Sequence, residues 1–182
     1  ACEGALLIVD ATQGIEAHTL TNIYLALEND LAIIPILNKI DLPSAHPQEV
    51  SQQVSDLLGV AHEEILHCSA KTGMGVEEIL ENIVCKIPAP KGEDNKPLRA
   101  LVFDSIFDSF RGAIAYVRVY EGVLKKGDQI KFFSNKSEFE VTELGHFKIG
   151  RVQQNKLSAG EAGYVVASIK TLSDINIGDT IT

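Results

Sequence analysis

The hydrophobic pattern of this 182-residue chain changes its period once, and that change constrains the fold more than any other feature. Up to residue 87, short apolar runs alternate with segments whose apolar residues recur at helical spacing. From residue 98 onward, strand-like segments follow one another with turn residues between them. The stretch KIPAPKGEDNKP lies at the change and is rich in proline, glycine and charge. The sequence therefore predicts two domains, over 1–87 and 98–182, joined by a linker over 88–97.

The first half has the alternation that is typical of parallel sheets. GALLIVD, LAIIPILN and EILHCSA are predicted as buried strands. Three helices are predicted: one in GIEAHTLTNIYLALEND, with Ile15, Leu20, Ile23, Tyr24 and Leu27 near one face; one from Pro47 to Leu58, ended by Gly59; and one in GVEEILENIVCKI. Strands and helices in this order favour βαβ crossovers and a parallel sheet with helices on both faces.

The second half contains five strand-like segments, separated by turns rich in Gly, Asn, Asp and Lys. They are LRALVFDSIFD, GAIAYVRVYEG, DQIKFFS, SEFEVTELGHF and AGYVVASI. This pattern predicts an all-β domain, most simply a small closed barrel.

Composition excludes several classes of protein. No run approaches the roughly 18 apolar residues of a membrane span, and no signal peptide is evident, so we expect a soluble cytoplasmic chain. Three cysteines without a C-x-x-C pair favour reduced thiols over disulfides or a metal site. Residues 1–87 carry 3 basic and 13 acidic side chains, whereas residues 88–182 carry 13 and 12. DNA is not an expected partner.

Polar side chains follow the second predicted strand, in the stretch PILNKIDLP. Asn38, Lys39 and Asp41 fall at its carboxyl end, where open parallel sheets bind their ligands. An ionised Asp41 accepts two parallel N–H donors, which guanine offers at N1 and its 2-amino group and adenine does not. The stem of Lys39 can lie on a base face, while Asn38 can orient the loop. This spacing predicts a site that selects guanine.

The third predicted strand ends in CSAKTG, at the corresponding height of the sheet. There the backbone N–H of Ala70 could donate to the guanine O6, Ser69 could fix the loop, and Lys71 could cover the opposite face of the ring. N-K-x-D alone would occur by chance about once in 8,000 positions, and the second motif on the next strand lowers that risk further.

The two motifs resemble the base-specificity motifs of GTP-binding proteins, and a β-barrel directly after such a domain resembles the translational GTPases. VDATQGIEAHTLTNIYLALENDLAIIPILNKIDLPSA and, in the barrel, FDSFRGAIAYVRVYEGVLKKGD are similar to the LepA, or elongation factor 4, family. The resemblance covers nearly the whole chain. It implies a partial GTP-binding domain of the P-loop type followed by a second-domain barrel.

The resemblance also implies a function and partners. It implies a ribosome-associated GTPase that binds GTP and GDP and acts in protein synthesis, with some peripheral association with the membrane. Asn38, Lys39, Asp41, Ser69, Ala70 and Lys71 would then be guanine contacts. Arg111 and Gly112, in the string FRG, would serve domain packing or ribosome docking.

The chain also departs from the family's pattern. It contains no Gly-Lys dipeptide and therefore no G-x-x-x-x-G-K-[ST] loop to cradle phosphates and to hold Mg²⁺ through its hydroxyl group. The only D-x-x-G string, Asp56 to Gly59, is better interpreted as the glycine cap of a helix. We therefore expect an internal piece of a longer protein, without hydrolytic activity of its own, whose phosphate and magnesium contacts belong to the missing part.

Two alternatives remain at this stage. The chain could be a non-catalytic module that binds the ribosome or another partner, or the same piece of a different elongation or initiation GTPase. Each motif also has a purely structural interpretation, as a strand-to-helix turn or a polar loop. The five histidines have no metal-ligand spacing. The lysines of the barrel could contact ribosomal RNA, although interspersed acids favour a solvated surface.

Overall fold

The structure is a computed structural model that describes residues 2–169 and 175–182. It divides the chain into two units, one over 2–89 and the other over 90–182. Residues 90–97, which the sequence assigns to the linker, belong to the second unit. There the N–H of Ala159 donates to Asp94 Oδ1 at 2.9 Å, and the N–H of Gly122 donates to the carbonyl of Glu93 at 2.9 Å.

The first unit is a three-stranded parallel sheet with three helices. Its strands are β1 (Gly4–Asp10), β2 (Ala32–Asn38) and β3 (Leu66–His67), in the order β1-β2-β3. Its helices are α1 (Ala17–Glu28), α2 (Pro47–Leu58) and α3 (Val76–Lys86), with a short 3-10 turn at His62–Glu64.

The core of this unit lies on both faces of the sheet. On one face, Val9 and Leu37 of the sheet pack with Val54 of α2. On the other face, Ile36 packs with Ile79 of α3. This arrangement confirms the predicted parallel sheet with helices on both faces.

Helix α2 ends as its sequence predicts. Pro47 occupies its first turn, where a missing N–H costs nothing. Gly59 follows the helix in the left-handed conformation, with φ of 67°, and its N–H donates to the carbonyl of Ser55 at 2.8 Å. The interpretation of Asp56–Gly59 as the end of a helix is therefore confirmed.

Helix α1 is confirmed, but only part of the face that its apolar spacing favours is buried. Thr19, Ile23 and Ala26 are buried, whereas Tyr24 and Leu27 are exposed. Ile23 of the predicted face is buried, and Ile15 packs against the core, so the predicted and buried faces overlap. Spacing alone did not separate Leu20, Tyr24 and Leu27 from the adjacent stripe of Thr19, Ile23 and Ala26.

Strand β3 is shorter than the predicted segment EILHCSA. The 3-10 turn takes up the residues before Ile65, and the chain turns again directly after Cys68. There the N–H of Gly73 donates to the carbonyl of Ser69 at 2.8 Å, and the N–H of Ser69 donates to the carbonyl of Met74 at 2.9 Å. These turn hydrogen bonds replace the ladder that a longer strand would need.

The second unit consists of antiparallel strands. They are β4 (Arg99–Asp108), β5 (Gly112–Glu121), β6 (Leu124–Lys125), β7 (Gln129–Lys131), β8 (Glu138–Glu140), β9 (Glu143–Lys148), β10 (Gly150–Gln154), β11 (Lys156–Leu157), β12 (Ala162–Val166) and β13 (Thr180–Ile181). Six form one sheet in the order β10-β9-β12-β5-β4-β13, and β6 pairs with β11 and β7 with β8.

One buried cluster fills the interior of this unit. Its members come from eight of the ten strands, and they include Val102, Val117, Leu144, Val165 and Ile181. Strands that surround a large apolar core in this way form a barrel, which confirms the predicted all-β barrel domain.

One strand prediction needs correction in this unit, and four short strands, β6, β10, β11 and β13, lie outside the predicted segments. The segment SEFEVTELGHF divides into β8 and β9, because the N–H of Val141 donates to Asp128 and the next N–H, of Thr142, donates to Val166 on another strand. Strand β10 was not predicted, because its sequence GRVQQ has no alternation of apolar and polar residues. All five residues are exposed in the structure, so none of them needs to be apolar.

Within the residues that the structure describes, none of the helices has both the length and the apolar character needed to cross a membrane.

Candidate nucleotide-base site

The site lies at the carboxyl edge of the parallel sheet, where β1 and β2 end side by side. Asp10 and Asn38, the last residues of the two strands, are paired in register. The N–H of Ala11 donates to the carbonyl of Asn38 at 2.9 Å, which joins the two loops just beyond the sheet. This edge is where the carboxyl ends of parallel strands present polar groups to a ligand.

The side chain of Asn38 connects the second and third loops. Its Oδ1 accepts a hydrogen bond from the N–H of Ala70 at 3.0 Å and lies 3.5 Å from the Sγ of Cys68. Burial raises the pKa of the Cys68 thiol, so this sulfur stays protonated and can act as a weak donor. Asn38 thereby fixes the distance between the two predicted motifs.

Lys39 directly follows the strand in a left-handed backbone conformation, with φ of 66°. A residue with a Cβ adopts this region at a cost, and such residues are often found at functional sites. Its Nζ lies 2.5 Å from Asp10 Oδ2. The hydrogen bonds from Lys39 and then Thr12 lower the pKa of Asp10 to about 2, so the carboxylate is ionised at neutral pH.

A cavity of about 280 Å³ opens between the two loops. Its lining contains all six residues that the sequence predicts as base contacts, together with Leu42: Asn38, Lys39, Asp41, Leu42, Ser69, Ala70 and Lys71. The structure therefore brings the N-K-x-D and S-A-K residues together around one space.

Asp41 is the acidic residue of this lining. Its side chain is half-buried, and no donor among residues 2–169 and 175–182 hydrogen-bonds to its carboxylate. A partly desolvated carboxylate without donors of its own is suited to accept two N–H groups from a ligand.

The S-A-K residues differ in how far their polar groups are used. Ser69 is completely buried, and its Oγ accepts a hydrogen bond from the N–H of Thr72 at 3.2 Å within the loop. The N–H of Ala70 donates to Asn38 in this structure rather than facing the cavity alone. The adjacent N–H of Lys71 has no acceptor within the described residues. Lys71 itself is exposed.

Arg111 and Gly112 belong to the second unit, at the turn between β4 and β5. Arg111 Nη1 lies 3.6 Å from Glu143 Oε1, so it contacts its own barrel. Gly112 has φ of 79°, and a Cβ there would lie 2.6 Å from the carbonyl oxygen of Ile169. The glycine is therefore required by both conformation and space.

The predicted site did not include Asp10, Thr12 or Leu42. Asp10 carried a usable signal, since it ends the apolar run GALLIVD as Asn38 ends the next one. Leu42 carried none, because a lone leucine in a loop does not indicate a ligand.

No group of three or more His, Cys, Asp or Glu residues in the described part of the chain could hold a metal ion.

Comparisons with known proteins support the fold. Residues 1–89 match the model of the elongation factor Tu GTP binding domain, and residues 112–182 match that of elongation factor Tu domain 2. Apo translation elongation factor SelB from Methanococcus maripaludis superposes with a TM-score of 0.79 at 18% identity. The superposition covers 99% of this chain and 39% of that one, and it shows the fold. These two domains in this order define the class of translational GTPases.

Closer relatives specify the family. Elongation factor 4 of Desulfitobacterium hafniense is 57% identical and that of Bacillus subtilis 55% identical, each over the whole of this chain. The chain belongs to the elongation factor 4 family. It spans about 30% of the length of these relatives.

Proposed function

We propose that the first unit reads the guanine base of GTP and GDP. The observation that carries this proposal is the carboxylate of Asp41, which lines the cavity and has no hydrogen-bond donor within the described residues. Two parallel bonds from the N1 and 2-amino groups of guanine would satisfy it. Adenine offers an unprotonated N1 at that position, so burial of the same carboxylate against adenine would be unfavourable.

The neighbouring residues take complementary roles. The methylene stems of Lys39 and Lys71 cover opposite faces of the base, while Asn38 and Ser69 hold the two loops at the required spacing. The N–H of Ala70 reaches the guanine O6 by sharing or releasing its bond to Asn38. The N–H of Lys71 is a second donor for the same oxygen.

We propose further that the full-length protein is a ribosome-associated GTPase that acts in protein synthesis in the cytoplasm and hydrolyses GTP to GDP and phosphate. The described residues do not fit a Mg²⁺ site, and the chain has no Gly-Lys dipeptide. Phosphate and magnesium contacts are therefore assigned to other parts of the full-length protein. The peripheral membrane association that the resemblance implies stays a prediction.

In the second unit, we assign ribosome contact to the turn between β4 and β5 that contains Arg111 and Gly112. Phe110, at the tip of this turn, is 98% exposed, and Ile149 in the turn between β9 and β10 is also fully exposed. The ion pair between Arg151 and Asp108, 3.8 Å long, connects the two hairpins. Exposed apolar side chains beside arginines are typical of surfaces that bind a partner.

Comparison of nucleotide turnover by the full-length protein and by this chain tests the proposal. The full-length protein should hydrolyse GTP in preference to ATP, and this chain alone should show no turnover above background. Clear GTP turnover by the chain alone that is lost in Asp41→Asn would contradict the assignment of hydrolysis to other parts of the protein. Equal turnover of GTP and ATP by the full-length protein would contradict the guanine site.

A further inference from the structure

The carboxylate of Asp10 has different partners on its two oxygens. Oδ1 accepts hydrogen bonds from the N–H of Thr12 at 2.8 Å and from its hydroxyl group at 2.7 Å. Oδ2 lies 2.5 Å from Lys39 Nζ. Because Thr12 holds Oδ1, the carboxylate plane is fixed and Oδ2 is oriented toward Lys39 independently of the lysine.

Backbone hydrogen bonds hold the two loops together independently of this ion pair. The N–H of Ala11 donates to the carbonyl of Asn38 at 2.9 Å, and the N–H of His46 donates to the carbonyl of Ala11 at 2.8 Å. The loops are therefore also joined by contacts that do not involve the side chain of Asp10. Its remaining contact is with the side chain of Lys39.

Lys39 lines the cavity and Asp10 does not. The Lys39 side chain is 52% exposed, whereas that of Asp10 is 17% exposed. An untethered lysine samples many rotamers, and fixing them costs up to about 2 kcal/mol. Because the ammonium group is bound to Asp10 before the nucleotide binds, less side-chain entropy is lost on binding. The methylene stem is left along the cavity wall.

We propose that Asp10 is a positioning residue for guanine nucleotides: it anchors the Lys39 ammonium group so that the lysine stem forms one wall of the base slot and slows nucleotide release. This inference rests on the proposed function of the site. The low pKa of Asp10 is consistent with it, because the carboxylate stays charged throughout the physiological range.

A double-mutant cycle in the full-length protein tests the inference, with the release of fluorescently labelled GDP followed by stopped flow. Asp10→Asn keeps an oxygen for Thr12 but removes the charge, and Lys39→Met keeps an apolar stem but removes the ammonium group. Each single variant should release GDP about five- to tenfold faster, as expected for loss of a charge-assisted hydrogen bond. The double variant should release GDP no faster than either single variant.

Asp56→Asn serves as the matched control, since it makes the same chemical change on the exposed surface of α2 and should leave the rate unchanged. If Asp10→Asn accelerates release equally with lysine and with methionine at position 39, Asp10 acts through the loop and the inference is overturned. An unchanged rate in Lys39→Met, which leaves the Asp10–Thr12 contact intact, also overturns it.

Nucleotide selection by the wild-type protein distinguishes failure of the proposed function from failure of the inference about Asp10. If it fails to bind GDP in preference to ADP, the proposed function fails and the inference falls with it. If it selects GDP while both single variants release GDP at the wild-type rate, the inference alone is overturned.

Discussion

The polar side chains of the candidate site differ in how many of their hydrogen-bonding atoms are already used. Asn38 and Asp10 are committed to other protein groups, through Ala70 and through Thr12 and Lys39 respectively. Asp41 is uncommitted within the described residues. Side chains that are hydrogen-bonded to other protein groups fix the shape of the loops. A partly buried carboxylate without such partners can select a ligand by the donors that the ligand offers.

The ionisation of Asp10 gives a pH-dependent prediction. Its pKa falls from 3.8 to about 2 in the folded protein, so its stabilising contribution is fully present above the unfolded value and is lost as the pH falls through the folded one. At pH 7 the Asp10→Asn variant should lose about 1–2 kcal/mol in the free energy of opening β1 and β2. The difference should shrink between about pH 4 and pH 2.

Hydrogen exchange of the β1 and β2 amides in the full-length protein, corrected for intrinsic exchange rates, measures this difference. The Asp56→Asn variant provides the comparison for an exposed carboxylate. A difference that stays constant down to pH 2 would show that the ionised form of Asp10 does not carry the stabilisation.

Among the helices and strands, the sequence predicted an element best where its residues allow only one position for that element. Helix α2 could be placed from its first proline to its glycine cap, because both residues have positional requirements. The buried face of α1 could not be placed fully, because two adjacent stripes of the helix have the same spacing. Strand β10 has only exposed residues, and its conformation is seen in its pairing with β9 rather than in an apolar pattern.

The same limit applies to the site. Motif spacing identified six of the seven residues that line the cavity, because each motif follows a strand in the same sheet. The Asp10–Lys39 pair depends on the left-handed turn at Lys39, which no residue type in this stretch requires. The bond from Ala70 to Asn38 depends likewise on the packing of two loops that are distant in sequence.

The turn between β4 and β5 gives a prediction at this scale. Arg111→Ala in the full-length protein should weaken its binding to ribosomes several-fold, because the change removes a cation from the exposed turn. Cosedimentation with ribosomes at two salt concentrations measures the effect. Arg99→Ala is the matched control, since Arg99 is an exposed arginine of the same barrel paired with Glu121 at 3.6 Å. Equal weakening by both variants would contradict a specific contact at the turn.

At the scale of the whole molecule, the two units have different chemistry. The first carries all of the excess acidic charge, and the second is close to neutral. The elongation factor 4 relatives are about three times as long as this chain, which contains the matches to the GTP binding domain and to domain 2. Under the proposed function, this chain selects the base, and chemistry on the phosphates belongs to other parts of the full-length protein.

The nucleotide preference of the full-length Asp41→Asn variant tests the central claim most directly. Xanthine has a carbonyl at position 2, which the asparagine amide can satisfy as a donor, so affinity should shift from GDP to xanthosine diphosphate. Loss of the two charge-assisted bonds to guanine should weaken GDP binding by tenfold or more, on the order of 1.5–3 kcal/mol. Asp56→Asn should keep the wild-type preference. Unchanged GDP affinity in Asp41→Asn would contradict the account.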